Sequence, residues 1–331
     1  MMSSSSVPKV IGVGSPVVDR LARVPEDFVA SINGAKGGME LVDHPTLAGL
    51  IGRVGADVLR APGGSAANTT YALAKMGLPT AFLGQLGDDE DGRYYLEAFT
   101  AAGGDCARFR KTTDRNTACC LSLVTPDSER TMRTDLGAAL LLNPGDIRPE
   151  DFAGCTHAHV EGYLLFNRPL TEAVLEAARR AGCTISLDLG SFEVVGAAAD
   201  VLPALLDEYV DAVFANEDEA RAYLGEDNPE AALAALGERC GTVAVKLGAR
   251  GALLRRAGET ARVDAVPADP VTDTTGAGDC WAAGFLYGWL HGWPLDACGR
   301  LGSVLGAETV RHLGALPPEP SWERIRTQLQ K

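Results

Sequence analysis

The feature that most constrains this chain is the regular alternation, from about residue 155 to 247, of short apolar runs with longer amphipathic ones. The runs at 156–161, 183–188, 211–215 and 242–247 have the length and apolar content of buried strands. The segments 169–181, 198–208, 216–224 and 229–238 have helical periodicity. Strands separated by helices pair in parallel, because the helix carries the chain back to the starting edge of the sheet. A parallel sheet buries both faces. The expectation is therefore an α/β fold, a central mostly parallel sheet with helices on both faces. Hydrophobic residues make up 46% of the 331, enough to fill such a core. Upstream, 9–14 reads as a buried strand, 66–76 as a helix and 80–86 as a strand. Residues 16–45 alternate polar and apolar around Gly34, Gly37 and Gly38, and 117–125 and 130–136 flank a Pro126-Asp127 turn. These segments predict a small β-sheet lid contributed by about 16–45 and 105–137. It sits on a single α/β domain spanning 1–331, with 1–8 a disordered tail.

Composition narrows the partners. Forty-four acidic residues against 30 basic ones give a net charge of -14, which opposes binding to nucleic acid or to an anionic membrane. The eight cysteines form no C-x-x-C pair and several sit in apolar runs, as reduced buried thiols do. The serine-rich start lacks an apolar signal core, and no apolar run is long enough for a bilayer, so the expected location is cytoplasmic. His157 and His159 alternate on a strand without a third ligand and read as structural.

The strongest chemical signal is Asp273-Thr-Thr-Gly-Ala-Gly-Asp279, directly before a helix expected at 276–291, whose Trp281, Phe285 and Trp289 make one apolar face. A second long helix is expected at 294–311. Gly276, Ala277 and Gly278 can present backbone amides at a helix N-terminus, an anion hole suited to a phosphoryl group that builds charge during transfer. Asp279 in the same turn can take a proton from an attacking hydroxyl. Read by itself, the segment also admits a plain glycine turn with an acidic cap, the lesser of the two readings. No G-x-x-x-x-G-K-[ST] occurs, nor any H-R-D or D-F-G set, which excludes P-loop and protein-kinase chemistry. Gly12-x-Gly14 lacks the third glycine of a dinucleotide site.

DTTGAGDCWAAGFLYG resembles the C-terminal signature of the ribokinase-like, or PfkB, carbohydrate and nucleoside kinases. Pro62-Gly-Gly-Ser-Ala-Ala-Asn68 and LGQLGDDEDG at 83–92 resemble the N-terminal one. The likeness runs from about 9 to 317 and is nearest to bacterial adenosine-kinase-like members. It implies a ribokinase-like fold, ATP and Mg²⁺ as cofactors, and Asp279 as base. Asn216 and Glu219, as N-x-x-E, would help place Mg²⁺ (Glu219 indirectly) and the phosphates. Lys246, Gly248 and Gly251 would lie on the ATP side. Asp19, Gly63, Gly64 and Asn68 would bind the acceptor. It also implies K⁺ near carbonyls around 269–273 and 311–314. Alone, Asn216–Glu219 reads as an acidic first turn, 246–251 as a hairpin and Asp19 as a turn residue.

Segments 34–45, 128–139 and 160–165 resemble the lid and base-binding regions of the adenosine-kinase-like members, which implies Met39, Leu136 and Tyr163 around a base. The stretch SLDLGSFEVV at 186–195 departs from that pattern. The expected function is ATP-dependent phosphorylation of a hydroxyl on a small sugar-containing molecule, with the ribose 5′-hydroxyl of a purine nucleoside first. Two alternatives stay open: a sugar kinase of the ribokinase, fructokinase or 2-keto-3-deoxygluconate kinase type, and a non-catalytic nucleoside- or sugar-binding protein. Either a monomer or a homodimer is compatible with the sequence.

Overall fold

The computed structural model describes residues 7–55, 58–127 and 129–329. Of the expected tail at 1–8, residues 1–6 lie outside these, and so does Ser128 of the lid motif. The large sheet has nine strands in the spatial order Glu259–Val263, Ala252–Arg256, Thr242–Lys246, Ala212–Asn216, Thr184–Asp188, His157–Glu161, Val10–Val13, Thr80–Leu83 and Gly104–Asp105. The seven from Thr242–Lys246 onward are parallel, as the alternation requires. The antiparallel pairs are confined to the edge, where two hairpins replace helical crossovers.

Alternate strand residues feed two cores. Ile11, Val160, Leu187, Val213 and Val245 face helices Arg168–Arg180, Leu202–Tyr209 and Pro229–Gly237 through Val174, Leu175, Leu206 and Leu236. Val10, Phe214 and Ala244 face helices Ala277–Leu290 and Leu295–Thr309. There the Trp281 and Phe285 rings stack at 5.6 Å and Phe214 meets Phe285 edge-on at 5.5 Å. Phe285 and Phe214 are both fully buried, so their edge-on contact anchors the helix to the sheet. His157 and His159 are buried and share the Ser186 hydroxyl. Burial pushes them down to about 3 and about 4, so they stay neutral.

The polar ends of the parallel strands are what the fold delivers. Glu161, Asp188, Asn216 and Lys246 are each the last residue of a strand, and register sets Glu161 beside Asp188 and Asn216 beside Lys246. Ligands of open α/β sheets bind at this edge.

The small sheet runs Met39–Leu41, Arg130–Asp135, Ala118–Val124, Val17–Arg23, Leu59–Gly63. Cys119, Leu121, Leu123 and Ala22 on one face cluster with Val29, Leu47 and Leu50 of helices Glu26–Ala30 and His44–Val54. The pairings Met132↔Met39, Thr134↔Cys120 and Asp19↔Cys120 put Met39, Met132, Asp19 and Arg130 on the opposite face.

Several local expectations differ from what is found. Residues 16–45 contain helix Glu26–Ala30 and the start of His44–Val54 as well as strands. Leu59–Gly63 joins the small sheet from outside the expected segments. Gly104–Asp105 belongs to the large sheet, and Arg110–Thr112 pairs with Gln85–Gly87. The helix expected over 198–208 starts later, as Leu202–Tyr209, where Pro203 suits the first turn, and a short helix that was not expected, Phe192–Ala197, precedes it behind the Ser191 cap. Among the described residues no helix is long and apolar enough to cross a membrane.

Candidate active site

Helix Ala277–Leu290 begins at Gly276, whose φ of +70° is left-handed. A Cβ there would lie 2.3 Å from the Ala315 carbonyl oxygen, so the turn closes only with glycine. The amide of Ala277 is not free as expected: it donates to the Thr274 carbonyl at 3.3 Å. The amides of Gly278 and Asp279 fall in the helix's first turn, where no intrahelical acceptor exists. Arg130 of the small sheet donates to Asp273 and Thr275, adding a cation at the entrance of this turn.

Asp279 is held from one direction. Ser65 Oγ donates to its Oδ1 and Asn68 Nδ2 to its Oδ2, each at 2.9 Å, and Thr69 Oγ1 donates to its backbone carbonyl at 3.1 Å. Burial raises its carboxyl to about 6, with Asp188 adding to the rise and the Asn68 bond, Lys246 and the Ser65 bond opposing it. It is thus an ionised carboxylate near neutral pH whose proton affinity lies close to the range a general base needs.

Behind it, Lys246 Nζ pairs with Asp188 Oδ2 at 2.8 Å, both largely buried. Burial opposes the lysine charge, but Asp188 and Glu219 hold its ammonium above the usual value. A Cβ on Gly278 would lie 3.3 Å from Lys246 Nζ, so the ammonium stands directly over the anion turn. Asp188 was not among the sequence candidates. The signal was there, an acid at the end of a predicted strand, but the stretch that carries it departs from the lid pattern on which the reading relied.

Asn216 and Glu219 form a reciprocal cap: Glu219 N–H donates to Asn216 Oδ1 at 2.9 Å, and Glu219 accepts from Asn216 N and Nδ2 at 2.8 and 2.7 Å. Burial, then Asp188, push Glu219 up to about 7, with Lys246 opposing. Glu161 is a second missed residue. It is 1% exposed and accepts from Ser15 N–H at 2.8 Å and Ala66 N–H at 3.3 Å, and burial raises it to about 7.

On the expected acceptor side, Asp19 lies against Gly63, where a Cβ would come 2.3 Å from its Oδ2. Burial raises Asp19 to about 7. Arg130 opposes the rise, and Asp279 and Asp273 add to it. Asp19, Gly63, Gly64, Asn68 and Asp279 are therefore brought together. Met39, Leu136 and Tyr163 are not brought into one cavity. Met39 is half exposed on the site-facing side of the small sheet. Tyr163 lies at the end of the large sheet, its hydroxyl 3.3 Å from the Gly190 carbonyl. Leu136 lines a separate cavity of about 550 Å³ with Leu41, Asp43, His44 and Arg115.

A cavity of about 640 Å³ opens beside the anion turn, reaching Lys246, Gly248, Gly251, Ala277 and Gly278. Asn216, expected on this side, does not line it. Its outer walls are apolar, from Val266, Pro267 and Val271 and from Ala307 and Val310 of the following helix. None of these was predicted, because nothing local distinguishes them from core residues. The segments 269–273 and 311–314 adjoin: the Gly314 amide donates to Asp273 Oδ2 at 2.8 Å.

The model of the pfkB family of carbohydrate kinases matches residues 50–322. Aminoimidazole riboside kinase of Salmonella typhimurium is 31% identical over 82% of this chain and 88% of its own length. The ATP-dependent ribose-1-phosphate kinase of Halopiger xanaduensis is 32% identical over 76% and 81%. The crystal structure of adenosine kinase from Sinorhizobium meliloti superposes with a TM-score of 0.87 at 32% identity, over 98% of this chain and 100% of that one. Such coverage leaves no segment of the large sheet or its helices outside the likeness, and the chain belongs to the pfkB family of carbohydrate kinases.

Proposed function

We propose that this kinase transfers the γ-phosphoryl group of ATP to the ribose 5′-hydroxyl of an uncharged nucleoside, with purine nucleosides preferred. The observation that carries the acceptor class is the charge of the acceptor side. Asp19 and Asp279 lie on it, and the cations acting on them are already bonded elsewhere, Arg130 to Asp273 and Lys246 to Asp188. An anionic acceptor, such as a sugar phosphate or sugar acid, would meet the ionised Asp279 there and find Arg130 and Lys246 already paired. Neutral hydroxyls instead find acceptors for their protons. Two exposed side chains with apolar bodies flank the same region: Met39 on the Asp19 face of the small sheet, and Tyr163, close enough to Glu161 and Asp279 to feel their charge. They offer faces for a base, which a free sugar does not need.

In this reading Asp279 removes the proton of the acceptor hydroxyl as its oxygen attacks the γ-phosphorus in line. The bond to the β–γ bridging oxygen breaks, and ADP leaves with that oxygen. The amides of Gly278 and Asp279 and the Lys246 ammonium receive the charge that accumulates on the transferring group. The apolar cavity takes the rest of ATP. Mg²⁺ would neutralise phosphate charge. Both Glu219 oxygens already accept from Asn216, which suits contact through metal-bound water, and phosphate oxygens would supply most ligands. K⁺ beside the adjoining 269–273 and 311–314 segments belongs to the same proposal.

The test is ATP turnover with Mg²⁺ and K⁺ against adenosine, inosine, guanosine, cytidine, aminoimidazole riboside, ribose, fructose, ribose 1-phosphate and 2-keto-3-deoxygluconate. Preference for a neutral nucleoside is expected. Preference for either anionic acceptor would overturn the charge argument, and ligand binding without turnover would favour a binding protein. Asp279→Asn is expected to lower kcat by about 10²-fold or more with ATP binding retained.

A further inference from the structure

Ser65 is the first residue of helix Ser65–Lys75 and follows Gly64, which supplies no capping side chain. A serine hydroxyl in a helix's first turn can bond back to nearby backbone. Here Glu161 Oε2 accepts from the Ala66 amide instead, so the Ser65 hydroxyl is released to donate outward to Asp279. It does not act alone. Residues 65, 68 and 69 lie on one helix face, and all three donate to Asp279, to Oδ1, to Oδ2 and to the backbone carbonyl in turn. A whole stripe of the acceptor-side helix is committed to one residue, Asp279, more than 200 positions away.

We infer that Ser65 is a positioning residue for the base: its hydroxyl holds the Asp279 carboxylate ionised and aimed while the acceptor loop preceding it is in place. The inference rests on the proposed role of Asp279. The charged groups around Asp279 work in both directions. Asp188 lies nearest in effect and disfavours ionisation. Asp19, Glu161, Tyr163 and Glu219 feel the Asp279 charge in turn, and Lys246 favours it. The two donated hydrogen bonds act with Lys246, against burial and Asp188, to favour the ionised carboxylate. Asn68 is a rigid amide with its own oxygen buried. Ser65 is the donor that a small movement of the Gly63–Gly64 loop can withdraw, which links acceptor-loop position to base strength.

The experiment is the pH dependence of kcat and kcat/KM for Ser65→Ala and Ser65→Thr, from pH 5 to 9, in the full chain with saturating MgATP. Ser65→Ala should move the acid limb to higher pH by about one unit, so that turnover is about fivefold down at pH 6, approaches about tenfold down at pH 5 and recovers toward wild type by pH 9. Ser65→Thr, which keeps the hydroxyl, should restore the wild-type limb. An unmoved limb with a raised acceptor KM at every pH would make Ser65 a substrate contact and overturn the inference. If Ser65→Ala is too unstable to assay, a limb that stays at its wild-type position in Ser65→Cys, whose thiol is a weak donor, overturns it equally. Asp279→Asn separates the two levels. Near-normal turnover there removes the base itself, whereas an inactive Asp279→Asn with an unmoved Ser65→Ala limb removes only this inference.

Discussion

Glu161→Gln tests the electrostatics of the site without relying on catalysis. In the folded chain the Glu161 carboxyl keeps its proton to about pH 7, against an ordinary value of 4.5, because burial removes its hydration. Between those values the folded state binds more protons than the unfolded one, so stability falls as pH rises through the window. The span from 4.5 to about 7, at about 1.4 kcal/mol per pH unit, amounts to about 3 kcal/mol. Glutamine does not titrate, so the variant lacks this slope. It also has one carbonyl oxygen where Glu161 has two, accepting from the Ser15 and Ala66 amides. Its NH₂ group would face a backbone N–H, a pH-independent cost of about 1–3 kcal/mol. The variant should therefore be less stable than wild type at pH 5, with the gap closing or reversing by pH 8. Urea unfolding of the ligand-free proteins, followed by the fluorescence of the four tryptophans, gives both curves. A gap constant to within about 0.5 kcal/mol from pH 5 to 8 would refute the reasoning.

Two further substitutions probe the supports of the site. Lys246→Met leaves Asp188, 4% exposed, without its cation and should cost about 3–5 kcal/mol of stability and raise the KM for ATP. Adding Asp188→Asn should recover most of the stability but not the KM, as thermal unfolding and steady-state kinetics would show. Gly64→Ala places a Cβ 2.2 Å from the Ser15 carbonyl oxygen at a φ of +101° and should cost about 2 kcal/mol or more. Gly49→Ala, in helix His44–Val54 with nothing within 4 Å, should instead add about 1 kcal/mol. Equal effects of the two glycine substitutions on Tm would contradict the steric argument.

Much of the fold is legible along the chain because its signals are local. The strand–helix alternation after 155 predicts the parallel sheet. The elements found there, such as His157–Glu161 and Ala212–Asn216, begin within a residue or so of where the pattern puts them. The late start at Leu202 and the short helix Phe192–Ala197 before it are hard to read locally, since the Ala-rich stretch at 197–199 favours helix by propensity and only the Ser191 cap and Pro203 mark the two starts. The segments of the small sheet read poorly because three-residue strands such as Met39–Leu41 carry almost no periodicity.

The sequence by itself determined the parallel core, the glycine turn at 276–278 and the acid at 279 that follows it, because each is written within a few consecutive residues. Only the tertiary structure decided what surrounds that acid. Ser65 and Asn68 reach it across 214 and 211 residues, Arg130 reaches Asp273 across 143, and Lys246 meets Asp188 across 58. These meetings follow from which strand ends lie side by side at the carboxyl edge of the sheet. Strand order is a property of the packed whole, since it depends on how distant helices share the two faces, and no local pattern encodes it.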